Sequence, residues 1–269
     1  EAGNTKTRRK NHYELAKNAY EKFSLDSESL VVDIGSNVGM LLTGFKELGT
    51  KIQGVDASEN VAQIARDNGI ETITGFFGEV ISKEILQKYN QKAKIVTATN
   101  VFAHIHDYDD FLNGVKELLT DDGVFIFEVH YFVDLVEKFQ YDMIFHEHIL
   151  FESIKPLVTL FENHNMTLFD VERYEIDGGV IRCFVSKKNM QKPSPKINEL
   201  IKKEKELGIH TIEGLEDFSN RINEHRNELV FLLNDLKKEN KKIAALSMPA
   251  KGVALLNFSK IDTRLIEFA

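Results

Sequence analysis

The stretch Val31-Val32-Asp33-Ile34-Gly35-Ser36-Asn37-Val38-Gly39 decides the fold. A short apolar run enters a turn with two glycines four apart, and Met40 to Leu48 then take up helical apolar spacing. Lys51 to Val55 is a second apolar strand ending at Asp56, so the segment is a βαβ unit. The same alternation continues: helix over 60–68, strand 71–74, helix 82–89, strand 93–99, helix 111–119, a turn at Asp122-Gly123 and strand 124–129. It predicts an α/β fold with a doubly wound, mostly parallel, Rossmann-like sheet and helices on both faces. In front of it, Tyr13, Leu15, Ala16, Ala19, Tyr20 and Phe23 recur at helical spacing over 11–23. Behind it, the pattern predicts a helix over 154–164 and strands over 167–175 and 180–186.

After Lys187 the composition changes. Lys187-Lys188-Asn189-Met190-Gln191-Lys192-Pro193-Ser194-Pro195 reads as a polar linker, and charged helices follow over 196–206 and 213–238. The last piece predicts a strand at Ile243 to Leu246, a turn over Ser247 to Gly252 and a helix over Val253 to Phe258, the opening of a second α/β unit. Across the 269 residues, 42% hydrophobic and 28% charged, the net charge is −8. That charge repels phosphate backbones and anionic lipid, so nucleic-acid and membrane partners are not expected. One cysteine, Cys183, excludes an internal disulfide and fits a cytoplasmic setting. No apolar run approaches the length of a membrane span, and the first residues carry no apolar leader. The chain starts at Glu1 without Met and stops in apolar Arg264-Leu265-Ile266-Glu267-Phe268-Ala269, from which we expect a trimmed fragment.

The glycine turn points to a ligand. Gly35 permits a sharp turn, Gly39 a close approach at the helix start, and the N–H groups of Ser36, Asn37 and their neighbours are placed to hold an anionic group. Asp56, 17 residues after Gly39, ends the next strand, where a carboxylate can accept both hydroxyls of a ribose. The DxGxxxG spacing lacks the third glycine of a dinucleotide fingerprint, which favours S-adenosylmethionine over nicotinamide or flavin. Asn100 to Asp107, NVFAHIHD, follows the fourth predicted strand, in the crevice where open parallel sheets hold ligands, so Asn100 and His104 join the candidates. Phe76-Phe77 can wall an adenine pocket or simply pack in the core. His104 and His106 have no acidic ligand set nearby, and no metal is expected.

Residues 139–148, Phe-Gln-Tyr-Asp-Met-Ile-Phe-His-Glu-His, are the densest titratable segment. A histidine there can abstract a proton near neutral pH, and an adjacent glutamate can orient it. His146 and His148, two apart, do not share a helical face, so the zincin pattern fails.

In Val129 to Ser153, VHYFVDLVEKFQYDMIFHEHILFES, in Gly178-Gly179-Val180-Ile181-Arg182, in NVFAHI at 100–105 and in PAKGVALLN at 249–257, the chain resembles the S-adenosylmethionine-dependent sugar C-methyltransferases, which act on nucleotide-linked keto-deoxysugars. The resemblance implies that His148 is the catalytic base and Glu147 the acid that orients it. It matches Asp33, Gly35, Gly39, Asp56 and Asn100 to cofactor positions and Gly178, Gly179 and Arg182 to a stretch beside the substrate pocket, with His146 next to the base. Lys251, on the C-terminal turn, is placed to neutralise a diphosphate, or is an ordinary surface lysine. The implied organisation is a methyltransferase domain over 1–187, linker and charged helices over 188–240, and the truncated start of a C-terminal α/β unit over 241–269.

Three departures stand out. Phe145 occupies the usual tyrosine position before His-Glu-His, which removes a phenol. His130 replaces a proline, and Leu246-Ser247-Met248 replaces a glycine-containing turn. Family members also begin with a cysteine-rich zinc subdomain and extend further. Two rival readings are an O- or N-methyltransferase acting on another small metabolite, and a methyltransferase-like module that binds without turnover.

Overall fold

A computed structural model describes residues 6–144, 148, 150–176 and 178–268. Its centre is a seven-stranded sheet of order β3-β2-β1-β4-β5-β7-β6. The strands are β1 (Leu30–Ile34), β2 (Lys51–Asp56), β3 (Thr72–Thr74), β4 (Ala93–Thr99), β5 (Leu119–His130), β6 (Met166–Tyr174) and β7 (Val180–Lys187). The first five pair in parallel, and β7 runs antiparallel between β5 and β6. The predicted strand positions hold within about two residues for β1 to β4.

Both faces of the sheet are covered, which is why β1 is buried along its whole length and is apolar at every position but Asp33. Leu30, Val32 and Ile34 face α4 (Glu79–Tyr89), α5 (Tyr108–Leu118) and α7 (Ile154–Asn163). Val31 faces the other way, among Leu15 and Ala16 of α1 (Lys6–Lys22), Leu41 and Phe45 of α2 (Met40–Glu47), and Ala65 of α3 (Glu59–Asp67). The chain reverses direction across the sheet between β1 and β4, so a crevice opens at their carboxyl ends.

Phenylalanines fix the loop that borders this crevice. Phe102, fully buried, stacks on Phe127 at 4.4 Å and on Phe161 at 5.9 Å. Truncating such a ring to alanine costs about 3–5 kcal/mol. The backbone from Asn100 to His104 is thereby pinned to the core.

The differences from the sequence reading have local causes. Asp122-Gly123 does not end the pairing: Ala93 aligns with Leu119 and Ile95 with Val124, so Thr120 to Gly123 form a bulge within β5. α6 (Phe132–Glu137) and two single 3-10 turns, Phe102–His104 and Tyr141–Met143, were not anticipated. The strand expected at Ile243 to Leu246 is reduced to one bridge from Ala244 to Phe268, and Leu246 is 99% exposed.

Beyond the sheet, α8 (Pro195–Glu206) and α9 (Ile212–Lys238) occupy the predicted charged-helix positions, and α10 (Ala250–Ser259) the last predicted helix. α8 is docked rather than free. Its Glu204, fully buried, accepts from the Ile154 and Lys155 N–H groups at the start of α7 and from the Tyr131 hydroxyl at 2.9 Å, with His210 Nε2 at 3.0 Å. A carboxylate from another helix therefore caps α7. No helix among the described residues is long and apolar enough to cross a membrane.

Candidate functional site

Two adjoining clefts lie at the switch between β1 and β4. The first, about 270 Å³, is lined by Asp33, Gly35, Ser36, Asn37, Asp56, Thr99 and Asn100 from the strand ends, and by Arg8 and His12 from α1. The second, about 430 Å³ and more apolar, is lined by Gly35, Asp56, Phe76, Phe77, His104 and Phe111 among others. Gly35, Asp56 and Val101 border both, so the two form one elongated site.

The turn between β1 and α2 is shaped by its own hydrogen bonds. Gly35 and Ser36 N–H donate to Val55 O, Asn37 N–H to Asp56 Oδ2 at 2.9 Å, Val38 N–H to Asn37 Oδ1 and Gly39 N–H to Ser36 O. The expectation of unspent N–H groups in this turn for an anion is therefore not met, because the backbone donors from Gly35 to Gly39 are used within the protein. The cation that lines this end is Arg8. Gly35, at φ +67°, is required twice over, since a Cβ there would collide with Val101. Gly39, at φ +80°, lines neither cleft, and its Cβ would lie 2.8 Å from three carbons of Ile70. The close approach read at Gly39 is thus to the core.

Asp33 is the charged centre of the first cleft. It is 2% exposed, and the Thr97 hydroxyl donates to its Oδ1 at 2.6 Å. Burial first, then the negative charges of Asp56 and Glu128, push its carboxyl up to about 7 against the pull of the Thr97 hydrogen bond. A cation entering the cleft would favour the ionised form. Asp56, at the end of β2, is held by the N–H groups of Asn37 and Ser58. Asn100 takes a left-handed conformation at φ +56°, and its N–H donates to Glu128 O. Its side-chain Oδ1 is buried with no hydrogen-bond partner among the described residues, and Asn100 lines the cleft. Such an atom is costly unless a ligand completes it.

In the apolar cleft the two phenylalanines divide their roles. Phe77 packs edge-on against Phe111 at 5.5 Å, while Phe76 is 88% exposed on the rim. An exposed aromatic at the mouth of an apolar cleft is a platform for a planar ring. The carboxylate at the strand end, the unsatisfied amide oxygen, the buried acid and the aromatic rim together fit S-adenosylmethionine.

His148 lies beside this site. Its ring centroid is 5.5 Å from that of His104, which lines the apolar cleft, and 5.5 Å from that of His130. Its Nδ1 is 3.0 Å from Met143 O. A carbonyl only accepts, so Nδ1 carries the proton and, in the neutral ring, Nε2 bears the lone pair. Glu147 and His146 lie outside the described residues.

The substrate-side expectations fare differently. Arg182 lines neither cleft; it is 1% exposed, and its Nε and Nη2 donate to Glu128 Oε1 at 2.8 and 2.6 Å. It also meets the Tyr174 hydroxyl, Asn11 Oδ1 of α1 and, at 4.0 Å, the Glu172 carboxylate. Arg182 and Glu128 are register partners on β7 and β5, facing α1, so the arginine ties α1 to the sheet. Cys183 points to the opposite face and is fully buried, a small core residue. Gly178 O accepts from Lys138 Nζ and Gln140 Nε2, so the glycine turn braces the segment before the 3-10 turn at Tyr141–Met143. Gly178, Gly179 and Lys251 lie outside both clefts. Among the described residues no group of histidines, cysteines and acids could hold a metal.

Sequence reasoning missed Arg8, His12 and Val101, and it noted His130 only as a departure, with no place in the site. No motif marks the first two, and only the packing of α1 over the crevice brings them in. Val101 and His130, each one residue past a position already singled out or within a quoted segment, were legible as strand-end residues.

A family profile described as a methyltransferase domain matches residues 7–171, well over half of the chain. The chain belongs to that methyltransferase family. A second profile, a C-methyltransferase C-terminal domain, matches residues 175–269 of this methyltransferase. The C-methyltransferase NovU of Streptomyces niveus is 35% identical over 249 residues, covering 92% of this chain, which spans 59% of the length of NovU. A ubiquinone biosynthesis O-methyltransferase of Chelativorans sp. is 28% identical over 94 residues, 35% of this chain and 37% of that protein. Among solved structures, an S-adenosylmethionine-dependent methyltransferase from Clostridium acetobutylicum superposes with TM-score 0.52 at 15% identity, over 67% of this chain and 92% of that one. Magnesium protoporphyrin IX methyltransferase from Synechocystis, with bound S-adenosylhomocysteine, gives TM-score 0.52 at 11% identity, over 70% and 90%. These structures share the fold of this methyltransferase.

Proposed function

We propose that this methyltransferase places a methyl group on a carbon next to the ketone of a nucleotide-linked deoxysugar, with His148 as the base. The observation that carries the proposal is the placement of His148, its Nδ1 engaged by Met143 O and its ring beside the His104 edge of the cleft. Support for carbon as the acceptor comes from the profile over 175–269 and the likeness to NovU.

Bound, S-adenosylmethionine supplies an electrophilic methyl on a sulfonium. In this reading Asp56 accepts the ribose hydroxyls, Phe76 stacks on the adenine, and Asp33, Asn100 and Arg8 hold the amino-acid end. Ser36 and Asn37 shape that end, Gly35 admits Val101, and Gly39 seats α2 on Ile70. Such distribution of binding groups along one site supplies orientation, a large part of any transfer rate.

A carbon becomes nucleophilic when the proton next to a ketone is removed. Nε2 of His148 takes that proton, and the imidazolium that forms keeps its Nδ1–H on Met143 O. Glu147 orients or stabilises this cation in our reading; the substrate roles that the resemblance implies for His146, Gly178, Gly179 and Lys251, the last toward a diphosphate, stay part of the proposal, although Gly178, Gly179 and Lys251 line neither cleft. Arg182 acts from beneath by holding α1 against the sheet. We place the reaction in the cytoplasm, in keeping with the single buried thiol.

The test offers methyl-13C S-adenosylmethionine with a panel of nucleoside-diphosphate keto-deoxysugars and reads the product by NMR. A carbon-bound methyl made by the wild type and not by His148→Ala, with S-adenosylhomocysteine affinity retained in the variant, is the expected outcome. An oxygen- or nitrogen-bound methyl, or turnover of His148→Ala at the wild-type rate, would overturn the proposal.

A further inference from the structure

The group that fixes His148 is itself fixed from the C-terminal helices. Met143 O belongs to the single 3-10 turn Tyr141–Met143, in which Met143 N–H donates to Gln140 O and Ile144 N–H to Tyr141 O, each at 3.0 Å. One flank of this turn is braced by Gln140 Nε2 donating to Gly178 O. The other flank meets α9 and α10. Tyr141, 8% exposed, places its hydroxyl 2.8 Å from His225 Nδ1 of α9. Its ring meets Phe258 of α10 edge-on at 5.9 Å. Phe139, just before the turn, is enclosed by Phe218 and His225 of α9, with the Arg221 guanidinium 5.1 Å from its ring centre.

α9 is a poor structural element by its own packing: of its 27 residues only Phe218 is buried. A hydrogen bond from such a helix to a nearly buried phenol, two residues from the carbonyl that holds an active-site imidazole, therefore stands out. The two bonds form a line from His225 Nδ1 to Tyr141 Oη, through the rigid turn, to Met143 O and His148 Nδ1. If the turn rotates, the carbonyl leaves Nδ1 and nothing in this line selects the tautomer with a lone pair on Nε2.

We infer that His225, acting through Tyr141, is a positioning residue for His148, so the helical unit after the sheet completes the active site rather than merely following it. The inference rests on the reading of His148 as the base for its functional meaning, though not for its measurement. A merely structural role for His225 would alter stability and leave the His148 tautomer where it is.

The experiment reads the imidazole nitrogens of His148 by 15N-edited NMR in the full chain saturated with S-adenosylhomocysteine, with no methyl acceptor added. The wild type should show the Nδ1–H tautomer. In His225→Leu and in Tyr141→Phe, which removes one oxygen, the Nε2–H form should rise by about tenfold relative to Nδ1–H, the scale of losing one hydrogen bond. His225→Asn, whose side-chain amide reaches the place of Nδ1, should restore the wild-type spectrum. His148 signals that superpose on wild type in both His225→Leu and Tyr141→Phe would overturn the inference. Tyr141→Phe keeps the test decisive should His225→Leu fail to fold. Because no acceptor is present, turnover by His148→Ala would remove the base reading and leave this coupling measurable.

Discussion

Replacing Asp33 by Asn should make the protein more stable and its cofactor bind less well. In the folded chain burial lifts this carboxyl from its usual 3.8 to about 7, so the fold favours the protonated acid. Stability supplied by that preference is complete below the unfolded value, falls as pH rises, and is gone once pH passes the folded value. A shift of this size corresponds to about 4 kcal/mol when the acid is fully ionised. Asn keeps an oxygen to accept the Thr97 hydroxyl and never ionises. The stability difference between variant and wild type should therefore grow by about 1.4 kcal/mol per pH unit between pH 4.5 and 7 and then level off. Glu152, also buried and lifted to about 7, titrates in the same window in both proteins and cancels in the difference. Urea unfolding of the two proteins across pH 4.5 to 8.5, without ligand, measures it. Calorimetry with S-adenosylhomocysteine at pH 8 should show at least about a tenfold loss in the variant, the value of one charge-assisted contact. A flat stability difference, or a variant less stable than wild type at pH 8, would show that burial does not hold Asp33 protonated.

Other perturbations separate binding from scaffolding. Asp56→Ala should abolish binding of S-adenosylhomocysteine in calorimetry, with a modest fall in melting temperature because the Asn37 and Ser58 N–H groups lose their acceptor. Arg182→Ala strands Glu128 in the core and should cost about 3–5 kcal/mol in urea unfolding; a variant of wild-type stability with weakened sugar binding would restore a substrate role for it. Glu204→Ala uncaps α7 and leaves Tyr131 without its acceptor, so the same assay should show a loss of about 2–3 kcal/mol.

The sheet was legible because its central strands are covered on both faces and are therefore written in mostly apolar residues, as in β1, where Leu30, Val31, Val32 and Ile34 flank Asp33. The strand ends carried the site for the same reason: Asp33, the one polar residue within β1, and Asp56 and Asn100, at the ends of β2 and β4, stand out against apolar neighbours. What escaped depends on neighbours distant in sequence. Arg8 and His12 reach the cleft only because α1 packs over it. Arg182, next to a glycine turn, reads as a substrate residue until Glu128 is seen across the strand pair. Glu204 looks like one more charge on a solvated helix, yet it closes the start of α7. Ile243 to Leu246 has the composition of a strand but, among the described residues, pairs only at Ala244. Without a neighbour to share a ladder, composition does not make a strand.

In the proposed reaction, Nε2 of His148 removes a carbon-bound proton. A keto-sugar that serves as methyl acceptor, incubated in D2O with the wild type and S-adenosylhomocysteine, tests it most directly, because proton removal is then observed without transfer. Deuterium should enter the carbon next to the ketone with the wild type and not with His148→Ala. Exchange at wild-type rate in His148→Ala would contradict it.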